Sequence, residues 1–271
     1  MPTLPECQTL LVRETAGVVE VTLNRPERKN ALSVVMIDEL AQVFGACAGA
    51  ARAIVLRGAG HTFCAGADIK DMQQAASITR DEADRDRIAR DNRRLGDLFL
   101  AVDAAACPVI AVVEGAVLGG GIGLVCTSDI VLAADSARFG LPETGLGLLP
   151  AQIAPFVVQR IGFAQARRLM LTGARVDAHE AARLGLVHSV SVDTAALDAE
   201  LQATLTAIRR CAPGANARTK RLLFSVVNHV NRELSPVLDL AAQLFAEASL
   251  SDEADEGRRA FLEKRPPRWS V

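Results

Sequence analysis

Three stretches of this chain carry residues able to do chemistry, and none of them is built around a reactive nucleophile. The first is Phe63-Cys64-Ala65-Gly66-Ala67-Asp68-Ile69-Lys70. Small residues around Gly66 let a ligand approach the main chain, and a sharp turn there leaves the N–H of Ala67 free to point outward. An ordinary strand-to-helix turn capped by Asp68 reads the same way. The second is Leu118-Gly119-Gly120-Gly121-Ile122-Gly123-Leu124. Three consecutive glycines before an apolar helix cost backbone entropy, so something requires bare backbone there. It is either tight helix packing, or a helix N-terminus whose free N–H groups and dipole face developing negative charge. The third is Glu143, set among Leu141, Leu146, Leu148 and Leu149. Burial there raises a carboxyl's pKa and suits it to moving a proton near neutral pH. A surface glutamate in a turn is the plainer alternative.

These segments need elements to hold them. Val18 to Leu23 alternates apolar and polar residues and stops at Asn24-Arg25-Pro26, which predicts a half-buried strand. Ser33 is placed to cap a helix running to about Gly45, with Met36, Ile37, Leu40, Val43 and Phe44 on one face. Ala53 to Leu56, Val109 to Val113 and Ile130 to Ala133 read as buried strands. Their short connections predict parallel pairing with right-handed crossovers. The mixed charges between Lys70 and Arg94 predict a solvated helix or loop, which is compatible with a lid over a pocket. From about Ala195 onward helical spacing replaces strands, over Ala195 to Arg210, Asn216 to Val230, Leu234 to Leu250 and Glu253 to Lys264. The expected organisation is a core over residues 1–194 and a helical region over 195–271, packed on the core or on another subunit.

Composition narrows the classes. The 271 residues are 50% hydrophobic but only 4% aromatic, without tyrosine, so the core must be mainly Ala, Val, Leu and Ile. A net charge of −2 argues against nucleic acid as a partner, since that needs a basic face. Six scattered cysteines form no C-x-x-C pair and read as reduced core thiols of a cytoplasmic protein. No basic-then-apolar leader opens the sequence, and no uninterrupted apolar run reaches the roughly 20 residues of a membrane helix, so no membrane partner is expected.

Common sites fall away on spacing. Gly58-Ala59-Gly60-His61-Thr62-Phe63 fails as a dinucleotide fingerprint at its last position, as do Gly119, Gly121 and Leu124. There is no phosphate loop and no G-x-S-x-G elbow. His179-Glu180 begins like a zinc-protease motif, but Arg183 stands where the second histidine belongs, and no metal site is predicted. What survives is glycine, backbone and carboxylate.

Taken together, F-C-A-G-A-D-I-K and L-G-G-G resemble the two signature loops of the crotonase (enoyl-CoA hydratase/isomerase) superfamily. The resemblance extends through Leu23-Asn24-Arg25-Pro26, Asn30-Ala31-Leu32, Cys107-Pro108-Val109-Ile110-Ala111, Asp129-Ile130, Phe139-Gly140-Leu141-Pro142-Glu143, Leu171-Thr172-Gly173 and Ala181 to Val187. It implies an α/β fold, the crotonase-like spiral of ββα repeats with a C-terminal helical trimerisation region. It also implies an acyl-CoA thioester substrate, a homotrimer or dimer of trimers, and no cofactor beyond the coenzyme A of the substrate.

By the same resemblance, the backbone N–H groups of Ala67 and Gly120 form an oxyanion hole for the thioester oxygen, where one such donor is typically worth about 3 kcal/mol. The coenzyme A arm would run past Arg25, Lys29 and Ala31, then Ala65, Gly66, Asp68 and Ile69, with Gly119 beside it. Its adenine end would meet Phe261 and Lys264 of a neighbouring subunit. Arg25, Arg28 and Lys29 form a basic cluster suited to phosphate.

The sequence departs from the family's hydratases at one catalytic position. They usually carry two glutamates, of which the second matches Glu143 and the first falls on Gly123. One carboxylate suffices for a double-bond isomerase, and isomerases of the family resemble the text around Glu143-Thr144 and Pro155-Phe156. Hydration stays feasible if one water supplies both hydroxyl and proton, held by Glu143 with a substrate carboxylate or with Gln152. Gly145 to Val158 resembles the branched glutaconyl-CoA hydratases, which favours hydration of isohexenylglutaconyl-CoA or 3-methylglutaconyl-CoA. On that reading Gly123 makes room for the branch. A missing glutamate would also suit a non-catalytic RNA-binding or scaffold homologue, against which the intact loops and near-neutral charge weigh.

Overall fold

A computed structural model describes residues 3–68, 82–230 and 235–265. Its main sheet has six strands in the order β1-β2-β3-β4-β6-β9. These are β1 (Leu10–Thr15), β2 (Val18–Leu23), β3 (Ala53–Gly58), β4 (Val109–Val113), β6 (Ile130–Ala134) and β9 (Ser189–Ser191). The β1–β2 pair is an antiparallel hairpin; every later pairing is parallel. The strands expected at 18–23, 53–56, 109–113 and 130–133 are all present, and parallel.

Alternation along these strands divides two layers of core. Val19, Val21, Leu23, Ile54, Leu56, Val109, Ala111, Val113, Val131 and Ala133 face one cluster, while Val18, Ala53, Val55, Ile110, Val112, Leu132 and Ala134 face another. A sheet buried on both faces needs nearly continuous apolar strands, which is why β3, β4 and β6 read as apolar runs in place of an alternating pattern. The first layer is covered by α1 (Val34–Ala46), α2 (Glu82–Asp103) and α3 (Gly120–Thr127). Ser33 caps α1, its Oγ accepting from the Met36 N–H at 3.2 Å. The second layer is closed by Leu197, Leu201, Leu205 and Ile208 of α6 (Thr194–Arg209). The boundary expected at 194 therefore falls at the start of a helix that belongs to the sheet's own packing.

A smaller sheet joins β5 (Ala116–Leu118), β7 (Arg138–Gly140) and β8 (Arg175–Asp177) in the order β5-β7-β8. Bridges between Cys64 and Val117, and between Leu32 and Ala67, extend it sideways. The three-residue strands escape sequence reading because they are too short to show a period. The kinked α4 (Ala154–Thr172), broken at Gly162, connects β7 to β8, and α5 (Ala178–Arg183) follows β8.

The remaining helices are α7 (Pro213–Val230), α8 (Ser235–Ser249) and α9 (Asp252–Leu262), as the helical spacing predicts. α8 lies along α2, where Arg93 bonds Asp239 at 2.9 Å, and Leu238 enters the first core cluster. α9 packs backbone to backbone on the turn at residues 143–147: a Cβ at Gly257 would stand 2.3 Å from the Leu146 carbonyl oxygen. Within the mixed-charge stretch 70–94, read as a solvated helix or loop, residues 70–81 lie outside the described residues, and 82–94 belong to α2. Among the described residues no helix is long and apolar enough to cross a membrane.

Candidate active site

The segment Cys64–Asp68 is held between two neighbours, and this pairing decides where its N–H groups point. On one side the Cys64 N–H donates to the Ala116 carbonyl and the Leu118 N–H to Cys64. On the other, the N–H groups of Ala65 and Asp68 donate to Lys29 and Leu32, and the Leu32 N–H to Gly66. A parallel bridge of this register turns the N–H of Ala67 away from Leu32, and Ala67 is exposed. No acceptor among the described residues meets it. Gly120 opens α3, so its N–H lacks an intrahelical partner by position, and the N-cap, Gly119, offers no side chain.

Each glycine here has its own reason. Gly66 (φ 95°) and Gly119 (φ 49°) occupy left-handed backbone that other residues rarely adopt. A Cβ at Gly119 would lie 3.5 Å from the Gly66 Cα, so the two turns touch. Gly120 and Gly121 are packed from below: a Cβ would meet Leu32 Cδ1 at 2.7 Å and Cys64 Cβ at 2.8 Å respectively. Close packing therefore accounts for Gly120 and Gly121, and left-handed backbone for Gly119. Burial pushes the Cys64 thiol up to about 12, and its Sγ accepts from the Gly66 N–H at 3.4 Å. It packs against Gly121 as an inert, protonated thiol between the two loops.

Glu143 reaches the same point from a short 3-10 turn, Glu143–Leu146. Its Oε1 would stand 2.9 Å from a Cβ on Gly119, and its Oε2 is shut from solvent with no hydrogen-bond partner among the described residues. Burial pushes the carboxyl up to about 7, against a smaller opposing pull from its own N–H. The turn is fixed by the Leu148 N–H donating to the Glu143 carbonyl at 3.0 Å, by Thr144 Oγ1 donating to Met170, and by α9 behind it. Two main-chain turns whose donors meet no acceptor among the described residues and one carboxyl with a raised pKa thus lie side by side. That arrangement can polarise a carbonyl oxygen and move a proton beside it.

Several expected site residues take other roles. The Arg25 guanidinium is committed inward, to the Ala31 carbonyl and to Asp68 Oδ2, both at 2.8 Å, leaving Arg28 and Lys29 as the exposed members of the basic cluster. Arg25 and Asp68 thereby tie the turn at 25–31 to the loop at 64–68. Asn30, which sequence reading passed over, anchors that turn. Fully buried at φ 54°, it donates to the Ala59 and Thr62 carbonyls and accepts from the Arg25 N–H. Gln152 is also fully buried, its Nε2 donating to Asn92 Oδ1 and to the Leu238 carbonyl at 3.0 Å each. It staples α2 to α8, and its amide N–H groups are not free to hold a water beside Glu143.

Gly123 does not open a space for ligand. A Cβ there would stand 2.1 Å from Cζ of Phe99, a fully buried α2 residue whose ring lies edge-on to Phe156, centroids 5.5 Å apart. The expectation that Gly123 makes room for a substrate branch is corrected: hydrocarbon of this chain fills that volume. Ile69 lies outside the described residues. Phe261 is exposed at the end of α9, and Lys264 follows at φ 52°.

Comparison with known proteins places nearly the whole chain in one family. The family model "Enoyl-CoA hydratase/isomerase" matches residues 13–271. A putative enoyl-CoA hydratase of Thermus thermophilus is 34% identical over 94% of this chain and 98% of its own. A probable enoyl-CoA hydratase of Mycobacterium bovis is 36% identical over 97% and 98%. Among solved structures, Pseudomonas aeruginosa AtuE is 51% identical with a TM-score of 0.77, covering 97% of this chain and all of that one. An enoyl-CoA hydratase/isomerase from Marinobacter aquaeolei is 45% identical with a TM-score of 0.79, over 98% of this chain and all of its own. With two glycine turns meeting under a buried glutamate, and this likeness spanning nearly its whole length, the chain belongs to the enoyl-CoA hydratase/isomerase family.

Proposed function

We propose that this protein is an enoyl-CoA hydratase that adds water across the 2,3-double bond of a branched glutaconyl-type acyl-CoA, isohexenylglutaconyl-CoA or 3-methylglutaconyl-CoA. The N–H groups of Ala67 and Gly120 hold the thioester oxygen, and Glu143 is the one acid–base group. The observation that carries this reading is the Glu143 carboxyl, lying over Gly119 with its pKa raised to about 7. A group half ionised at neutral pH takes and returns a proton with little driving force lost in either direction. Ionised Glu143 takes a proton from water as the water oxygen bonds to Cβ. The double-bond electrons move into the thioester oxygen, between the two amides. The carboxylic acid so formed then delivers the proton to Cα, and the thioester is restored with Glu143 ionised.

The glutaconyl class suits a site with one protein carboxylate, because the substrate's own carboxylate supplies the second polar group that holds the water. The CoA arm lies along the exposed Arg28 and Lys29 and past Ala65 and Ala67. The exposed Phe261, with Lys264, closes on the adenine end from a neighbouring copy in a trimer or dimer of trimers.

The runner-up is an enoyl-CoA isomerase using Glu143 to move a proton between Cα and Cγ, which the single carboxylate equally favours. A panel of straight-chain 2-enoyl, 3-enoyl and branched glutaconyl thioesters separates the two. Loss of conjugated absorbance with a 3-hydroxy product from the glutaconyl substrate is expected. Migration of the double bond without uptake of water would overturn hydration.

A further inference from the structure

Position 123 is where the family's two-glutamate hydratases carry their first carboxylate, and glycine there is only half of the change in this chain. The other half comes from a different helix. Phe99 of α2 drives its ring over the bare Cα of Gly123, so that a Cβ would stand 2.1, 2.6 and 2.7 Å from Cζ, Cε2 and Cε1. No real Cβ tolerates such distances, and the ring has little room to yield. It has no exposure, it lies edge-on to Phe156 at 75°, and its neighbours Leu98 and Val102 are equally buried. α2 is itself clamped, by Arg93 on Asp239 and by the Gln152 staple reaching Asn92. A carboxylate at 123 would thus need the ring's volume and would gain no hydrogen-bond partner in exchange.

We propose that Phe99 is a specificity-determining residue of this site. With Gly123 it forms a reciprocal pair, ring against bare Cα, that keeps any carboxylate-bearing side chain out of position 123. The pair rests on the reading of Glu143 as the acid–base group. It selects against straight-chain 2-enoyl thioesters, which bring no polar group of their own to hold the water. Phe99 acts through position 123 and is not itself a catalytic residue.

A double-mutant cycle on the full chain tests this, with melting temperature and hydration of a straight-chain 2-enoyl-CoA as separate readouts. Gly123→Glu alone is expected to lower Tm by roughly 5–10 °C, from overpacking in a chain of this size, with no gain in hydration. Phe99→Ala opens the volume without supplying a carboxylate, and its hydration stays low. The double variant is expected to melt above the sum of the two single shifts. It is also expected to hydrate the straight-chain substrate at least tenfold faster than Phe99→Ala, with a second carboxyl appearing in the pH–rate profile. Should the double variant fail to fold, Gly123→Ala against Gly123→Ala/Phe99→Leu repeats the packing arm with one methyl group. There the single change lowers Tm, and Leu recovers at least half of the loss. Additive Tm shifts, or a Gly123→Ala protein as stable as wild type, overturn the wedge. A double variant that couples in Tm yet gains no hydration or second carboxyl overturns the specificity role alone. If wild type only moves double bonds, the hydratase reading fails while the Tm coupling still stands.

Discussion

Glu143 Oε1 lies 2.9 Å from the point that a Cβ of Gly119 would occupy, so the acid of this site rests directly on the glycine that opens its second loop. The contact joins two segments 24 positions apart in sequence through the absence of one methyl group. Gly119 also holds φ 49° and ψ −118°, outside the range of other residues.

Gly119→Ala is therefore expected to act twice, twisting the start of α3 and pushing the carboxyl aside. The expected fall in kcat is ~10²-fold, the scale on which a displaced acid–base group or oxyanion donor is felt. Steady-state kinetics beside a thermal melt check it. A protein of wild-type kcat would show that the carboxyl does not depend on this contact.

Glu143→Gln removes the proton carrier and keeps its shape. The expected fall in kcat is roughly 10²–10⁴-fold, and the wild-type rate should rise with pH through a midpoint near 7.

Stability carries the opposite sign. Because the folded carboxyl holds its proton up to about 7, against 4.5 for an ordinary solvated glutamate, the folded chain binds more protons than the unfolded one between those values. Stability is lost as pH rises through that window and stays reduced above it, by about 3 kcal/mol at most. Glu143→Gln escapes this cost. Its Tm advantage over wild type is expected to be small at pH 4.5, to grow toward pH 7 and then to level off. Melts of both proteins across pH 4.5 to 8 read it directly, and parallel curves would show that the carboxyl is not desolvated.

Gln152→Met separates a structural staple from a water-holding catalytic group. Loss of the bonds to Asn92 and Leu238 leaves buried polar atoms unpaired, for an expected cost of about 1–3 kcal/mol. The kcat is expected to stay within a few-fold of wild type. A kcat loss of ~10²-fold at unchanged Tm would return Gln152 to the chemistry.

Much of the fold was legible because local physics and global packing agree. β3, β4 and β6 are apolar without interruption since both faces of the sheet are covered, and Ser33 stands where α1 needs a cap. The two glycine loops were legible too, because bare backbone in those places is costly unless something requires it. Charge was less informative. Arg25 reads as a phosphate contact from its neighbours Arg28 and Lys29, and only Asp68, 43 residues away, reveals that its guanidinium is spent on the turn. Glu39, which sequence reading also passed over, is buried and accepts from the N–H groups of Gln8 and Thr9.

By itself the sequence determined the longer parallel strands, the capped first helix, the helical C-terminal third and the two glycine loops, since each of these is written in neighbouring residues as period, cap or missing side chain. Tertiary structure alone decided what Gly123 means. Whether a missing side chain leaves room for a ligand or for another part of the chain depends on what packs over it. Phe99 comes from 24 residues upstream, on a helix of which only the charged first half was legible, and its ring, edge-on to Phe156, takes the space. Volume is a property of close-packed neighbours, and sequence spacing does not record which neighbours those are.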